Sequence, residues 1–210
     1  MLVENFKVGG LDRYGLSYEQ LKSRFPRLRL FLREDLTHKL IADLKAGSLD
    51  ATLIALPYDT AGLEYAHVCK DELLAALPSG HPLAEAASVP AEGLDRDDLI
   101  LLEDGHCLRD HALSTCGLDR PRSAPDEGFA ATSLATLVQM VGSGLGVSLL
   151  PAMAVDAGLA ARAQVAVRPL DVGLAHREIV VAWRAGSTRG EEGRLLADVF
   201  AEAACAAATA

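Results

Sequence analysis

The chain has 210 residues, half of them hydrophobic and 23% charged. That is an ordinary globular balance, with enough material for one large domain or two small lobes, each with its own core. The formal net charge is −9, and with no basic patch in view this excludes a free duplex-binding surface and disfavours anionic membranes. No apolar run is long enough to cross a bilayer, and Met1–Gly10 lacks the basic-then-apolar pattern of an export signal. The expected setting is therefore a reducing cytoplasm, in which Cys69, Cys107, Cys116 and Cys205 are thiols. None of them forms a Cys-x-x-Cys pair, which argues against zinc-ribbon or thioredoxin chemistry.

Strand and helix patterns alternate along the chain, the signature of an α/β fold. Leu28–Arg33 alternates apolar and basic residues and reads as a strand. Asp35 or Thr37 can cap a helix over Thr37–Ala46, with Leu40, Ile41 and Leu44 on one face and Gly47 as its left-handed stop. Ala51–Leu56 is a short apolar strand, so this stretch reads as a βαβ unit with parallel strands. Tyr65–Cys69 and Leu73–Leu77 read as two further strands, followed by a turn at Pro78, Gly80 and Pro82. Leu99–Leu102 is a buried strand that leads into a helix over Leu108–Thr115, closed by Gly117. Thr132 and Ser133 cap a helix that runs to about Val141. The glycines of 142–146 then reverse the chain into the strand Val147–Leu150, stopped by Pro151. A phosphate loop is rejected here, because such loops run from strand to helix and this one runs from helix to strand. Glu178–Trp183 is a strand and Arg194–Ala204 an apolar-striped helix.

The most informative segment is Leu101–Gly117, which holds Cys107 and Cys116. Nine positions along a helix place two side chains on opposite sides and about 13 Å apart along its axis. A disulfide needs Cα atoms within about 7 Å. The two thiols therefore cannot join while the segment is helical, and a bond that forms only by remodelling its surroundings is a switch element. Leu108, Ala112, Leu113 and Cys116 share one face, which places Cys116 toward the core. Cys107 begins the helix, where the dipole favours a thiolate, assisted by His106 and Arg109 and opposed by Glu103, Asp104 and Asp110 if they point inward. Spacing alone leaves three readings open: a redox switch, two small buried hydrophobes, or a metal site built from Cys107, His106 and His111.

The string Glu103-Asp104-Gly105-His106-Cys107-Leu108-Arg109-Asp110, with Cys116 beyond it, resembles the redox loop of the OxyR peroxide sensors, a branch of the LysR-type transcription regulators. Glu34–His38 resembles the segment that carries a peroxide-site threonine in that group. Phe129–Leu134, the glycine turn and Leu149–Pro151 resemble the LysR effector domain, and Phe25-Pro26 resembles its second-strand start. The resemblance covers roughly Leu21 to Phe200.

It implies two Rossmann-like lobes joined by two crossover strands, like a periplasmic binding protein, with lobe I at about 1–70 and 175–210 and lobe II at about 71–174. It implies Cys107 as peroxidatic thiol and Cys116 as its disulfide partner. Thr37, Gly105, His106 and Arg109 would bind or activate hydrogen peroxide, with Arg177 near the pocket. Thr132 and Ser133 open a helix and join Thr37 as candidate ligand contacts, although Thr37 also reads as a plain N-cap. No cofactor or metal is implied, and the domain would sense rather than catalyse. The implied partners are a second copy of the chain (a tetramer for a full-length regulator), a thiol reductant such as glutaredoxin or thioredoxin, and DNA through a winged helix-turn-helix that is absent from these residues. One departure stands out. A second pocket threonine of the family falls near Val8, and Asn5–Gly10 holds neither Thr nor Pro. The competing reading is a LysR effector domain that binds a small organic ligand between the lobes, without redox switching.

Overall fold

The computed structural model describes residues 2–3, 23, 31, 33–91, 94, 98–103, 107–115, 130–161, 163–171 and 175–208. In chain order the elements are β1 (Leu2–Val3), α1 (Thr37–Ala46), β2 (Ala51–Leu56), β3 (Leu63–Pro78), α2 (Cys107–Thr115), α3 (Leu134–Gly142), β4 (Ser148–Pro151), α4 (Ala152–Asp156), β5 (Val165–Pro169), β6 (His176–Arg184) and α5 (Gly190–Ala208). They divide into two compact units, Met1–Lys70 with Glu178–Ala210, and Asp71–Arg177. The chain passes between them within β3 and at the start of β6.

In the first unit, α1 forms because its apolar residues recur at helical spacing. Leu40, Ile41 and Leu44 are buried together against Leu49, Ile54, Val180 and Ala182. Gly47 ends the helix at φ 79°. Its N–H and that of Ser48 bond back to the carbonyls of Leu44 and Asp43, as a left-handed glycine stop requires. β2 lies between β1, which runs parallel to it, and β6, which runs antiparallel with Thr52 opposite Ala182. The Trp183 ring packs on α5 at Gly193, where an added Cβ would come within 2.4 Å of the ring. Only Phe31 and Arg33 of the expected strand at 28–33 are described, and neither lies in a strand. The parallel partner of β2 among the described residues is Leu2–Val3.

Tyr65–Cys69 and Leu73–Leu77 belong to one strand of 16 residues rather than two. The polar run Lys70-Asp71-Glu72 suggested a break. It contains neither Gly nor Pro, and its central carboxylate is buried and paired, so the strand continues. In the second unit β3 is flanked by two antiparallel neighbours, β4 (Leu73 opposite Pro151) and β5 (Leu74 opposite Pro169). Leu77, Val89, Leu137, Val141, Leu149 and Leu150 fill the core beside them. Leu99–Leu102 is extended and joined by isolated parallel bridges, Leu99 to Val147 and Leu102 to Ala131, in place of a continuous ladder. The glycine turn makes the expected reversal. Gly144 has φ 77°, and a Cβ on Gly146 would sit 2.2 Å from the Asp98 carbonyl oxygen, so no other residue fits there.

Candidate functional site

α2 begins at Cys107 and continues to Thr115. Leu108, His111 and Ala112 are buried, with Leu108 and Ala112 in the core cluster, while Asp110 and Ser114 are exposed. Leu113, expected on the buried face, is half-buried. Over nine residues the helix rises about 12 Å from first to last, well beyond the reach of a disulfide. Arg109, in the first turn, donates from Nη1 to the carbonyl oxygen of Leu102 at 2.9 Å. Gly105, His106 and Cys116, together with the side chain of Cys107, lie outside the described residues.

Ser133 takes the N-cap of α3 with extended backbone (φ −149°, ψ 156°), and its Oγ accepts the Thr136 N–H at 3.1 Å. Thr132 does not share in the cap and is exposed. A single residue can occupy the cap, and Ser133 is the last one before helical dihedrals begin.

Thr37 corrects the N-cap reading. The cap of α1 is Leu36 (φ −65°, ψ 141°), which has no side-chain bond, and Thr37 is already the first helical residue. Asp35 stands one residue too early and accepts the Leu36 N–H at 2.9 Å instead. That hydrogen bond, with Lys39 assisting, holds the Asp35 carboxyl below its ordinary pKa. Beside it Arg33 pairs with Asp43, which raises the Arg33 pKa. Thr37 is 1% exposed, and its hydroxyl oxygen has no hydrogen-bond partner among the described residues. A buried hydroxyl left unpaired costs about 1–3 kcal/mol, and Thr52 in β2 has a hydroxyl in the same condition.

Arg177 is bound to a partner that sequence reasoning missed. Its Nε and Nη2 donate to Asp71 Oδ2 at 2.8 and 2.7 Å. The Asp71 side chain is fully buried, and its Oδ1 accepts the Met153 N–H at 3.0 Å, near the start of α4. The available signal was an aspartate set among strand residues, the kind of buried charge that demands a partner. Arg109, Ser133, Arg177 and the backbone of Cys107 belong to the second unit, and Thr37 belongs to the first. Cys69 is half-buried in β3 and in no disulfide. Among the described residues no three His, Cys, Asp or Glu side chains are grouped to hold a metal, and no helix is long and apolar enough to cross a membrane.

A strand-and-helix frame of this kind, with a helix opening on a cysteine, defines a class that comparison with known proteins identifies. Residues 18–205 match the LysR substrate binding domain, and the chain belongs to that family, one of transcription regulators and not of enzymes. Its particular likeness is to peroxide regulators. A probable hydrogen peroxide-inducible genes activator of Mycobacterium avium is 41% identical over 182 residues, covering 87% of this chain and 58% of that protein. The reduced regulatory domain of OxyR2 from Vibrio vulnificus superposes with a TM-score of 0.82 at 34% identity, covering 96% of this chain and 93% of that one. A full-length OxyR variant from Pseudomonas aeruginosa gives 0.76 at 32% identity, with 95% of this chain and 68% of that chain covered. The fold is therefore the periplasmic-binding-protein-like α/β arrangement expected from the sequence. The chain spans about half the length of the curated relatives it matches, from 44% to 58%.

Proposed function

We propose that the chain is the hydrogen-peroxide-sensing regulatory domain of an OxyR-like transcription regulator of the cytoplasm, switched by a reversible Cys107–Cys116 disulfide. The observation that carries the reading is the position of Cys107 as the first residue of a helix that runs unbroken to Thr115. The Cys107 thiolate attacks one oxygen of peroxide, the O–O bond breaks, and water leaves as Cys107 becomes a sulfenic acid. The Cys116 thiolate then displaces the second oxygen as water, and the disulfide closes. Because the intact helix keeps the two positions too far apart, closure requires α2 to unwind, which turns a chemical event into a structural one. A dithiol such as thioredoxin or glutaredoxin would restore both thiols.

Thr37, Gly105, His106 and Arg109 are proposed to receive the peroxide, with Arg177, Thr132 and Ser133 farther out. The unpartnered hydroxyl of Thr37 supports a small polar ligand at that residue. The same hydroxyl favours one other reading, an effector domain that binds an organic ligand without redox chemistry. In a full-length protein the domain would dimerise or form tetramers and act on DNA through a separate domain.

The test is to treat the reduced protein with near-stoichiometric peroxide and map its disulfides by mass spectrometry, with Cys107→Ser and Cys116→Ser as controls. Rapid formation of the 107–116 bond is expected. A Cys107 that reacts no faster than Cys69 and Cys205 would overturn the reading and leave the organic-ligand domain in its place.

A further inference from the structure

Arg109 follows Cys107 by two residues, yet its guanidinium turns back to the main chain before the helix. Nη1 bonds the carbonyl oxygen of Leu102 at 2.9 Å. Leu102 is fixed in its turn. It bridges Ala131, the Glu103 N–H bonds the Ala131 carbonyl at 3.1 Å, and the Ala131 N–H bonds the Leu101 carbonyl at 3.0 Å. The side chain of Leu102 is buried in the same core that receives Leu108 and Ala112. The Arg109 bond therefore joins the first turn of α2, which opens with Cys107, to the bridged segment at Leu102.

We infer that the Arg109–Leu102 contact is a latch on the redox helix, which sets how readily the Cys107–Cys116 pair is oxidised at equilibrium. This inference rests on the function proposed above. The nine described residues of α2 would not hold a helix by themselves, since isolated helices under about 12–15 residues are marginal in water. α2 exists because its buried face and its latch hold it. Partial unwinding would leave a helix of one turn, below what nucleation can sustain, so the first turn opens with the rest and the Arg109 bond is lost in the disulfide form. A contact present in the dithiol and absent from the disulfide favours the dithiol. Arg109 is then a positioning residue, acting on the equilibrium through the helix, whatever else its guanidinium touches.

The test equilibrates the whole chain with mixtures of reduced and oxidised glutathione and quantifies the Cys107–Cys116 bond by mass spectrometry. Two protein thiols are oxidised as glutathione disulfide is reduced to two glutathione thiols, so the exchange balances. Arg109→Gln is expected to shift the midpoint about tenfold toward disulfide, roughly 30 mV more reducing for a two-electron couple. Arg109→Lys keeps a cationic donor and should recover part of the shift. Hydrogen exchange in the reduced proteins gives a second measure, with faster exchange in α2 and unchanged exchange in α3 for Arg109→Gln. An unchanged midpoint with unchanged α2 exchange overturns the latch while leaving the peroxide reading intact. If the parent chain forms no 107–116 bond at any glutathione ratio, the proposed function itself has failed. A loss of exchange protection equal in α2 and α3 assigns Arg109 to general stability and also overturns the latch.

Discussion

Asp71 and Thr37 are both polar and almost wholly buried, at 2% and 1% exposure, and the molecule treats them in opposite ways. Asp71 has every need met, with two donors from Arg177 on one oxygen and the Met153 N–H on the other. Thr37 has its hydroxyl buried with nothing to bond. The first arrangement is architecture, in which a buried charge is tolerated because its partners replace water. The second carries the cost of a buried polar group without a partner, which on the proposed function a ligand would recover.

The comparison can be broken most severely at Asp71. Asp71→Ala would leave the largely buried Arg177 cation without its counter-charge and remove the acceptor for Met153, at an expected cost of about 3 kcal/mol. Urea unfolding measures it, and a loss under 1 kcal/mol would show the pair to be dispensable. At Thr37 the sign should reverse. Thr37→Val keeps the shape and removes the unpaired hydroxyl, so the ligand-free domain should gain about 1 kcal/mol. On the proposed function its Cys107 should also react with peroxide about tenfold more slowly, the value of one hydrogen bond. Stopped-flow kinetics beside the same unfolding series would check both, and a stability loss would mean that the hydroxyl is satisfied in solution.

Ser133 gives the ordinary case of a hydroxyl that works as a cap. Ser133→Ala should cost about 1 kcal/mol, and Ser133→Asp should restore most of it. The smallest effect is expected at Asp35, whose lowered pKa stabilises the folded state at neutral pH. That contribution is complete above the unfolded carboxyl's pKa of about 3.9. It is lost as pH falls from there through the lower folded value. Stability curves of the parent and Asp35→Asn should therefore differ above pH 4 and converge in acid. Parallel curves would show that the Leu36 N–H does not hold the carboxylate in solution.

Features governed by neighbours in sequence were legible in advance. The apolar spacing of Leu40, Ile41 and Leu44 fixes α1 and its buried face, Gly47 its end, and Ser133 the start of α3. Of the candidate site, the helix from Cys107 was legible, because it depends on residues close together in the chain. α4, at five residues, and β5, half-buried with little alternation, were too short and too weakly patterned to read. The unity of β3 was hidden because a charged residue in mid-strand reads as a break until its partner is known.

The sequence by itself therefore determined the α/β class, the principal helices and the cysteine-bearing segment, since periodicity, capping and turn chemistry act over a few residues. Tertiary structure alone decided that Arg177 spends its charge on Asp71, 106 positions away, and that Arg109 reaches the Leu102 carbonyl. It alone decided that Thr37 is buried with an unpaired hydroxyl instead of capping its helix. Burial and partnership depend on which distant segments pack together, and no local pattern encodes that.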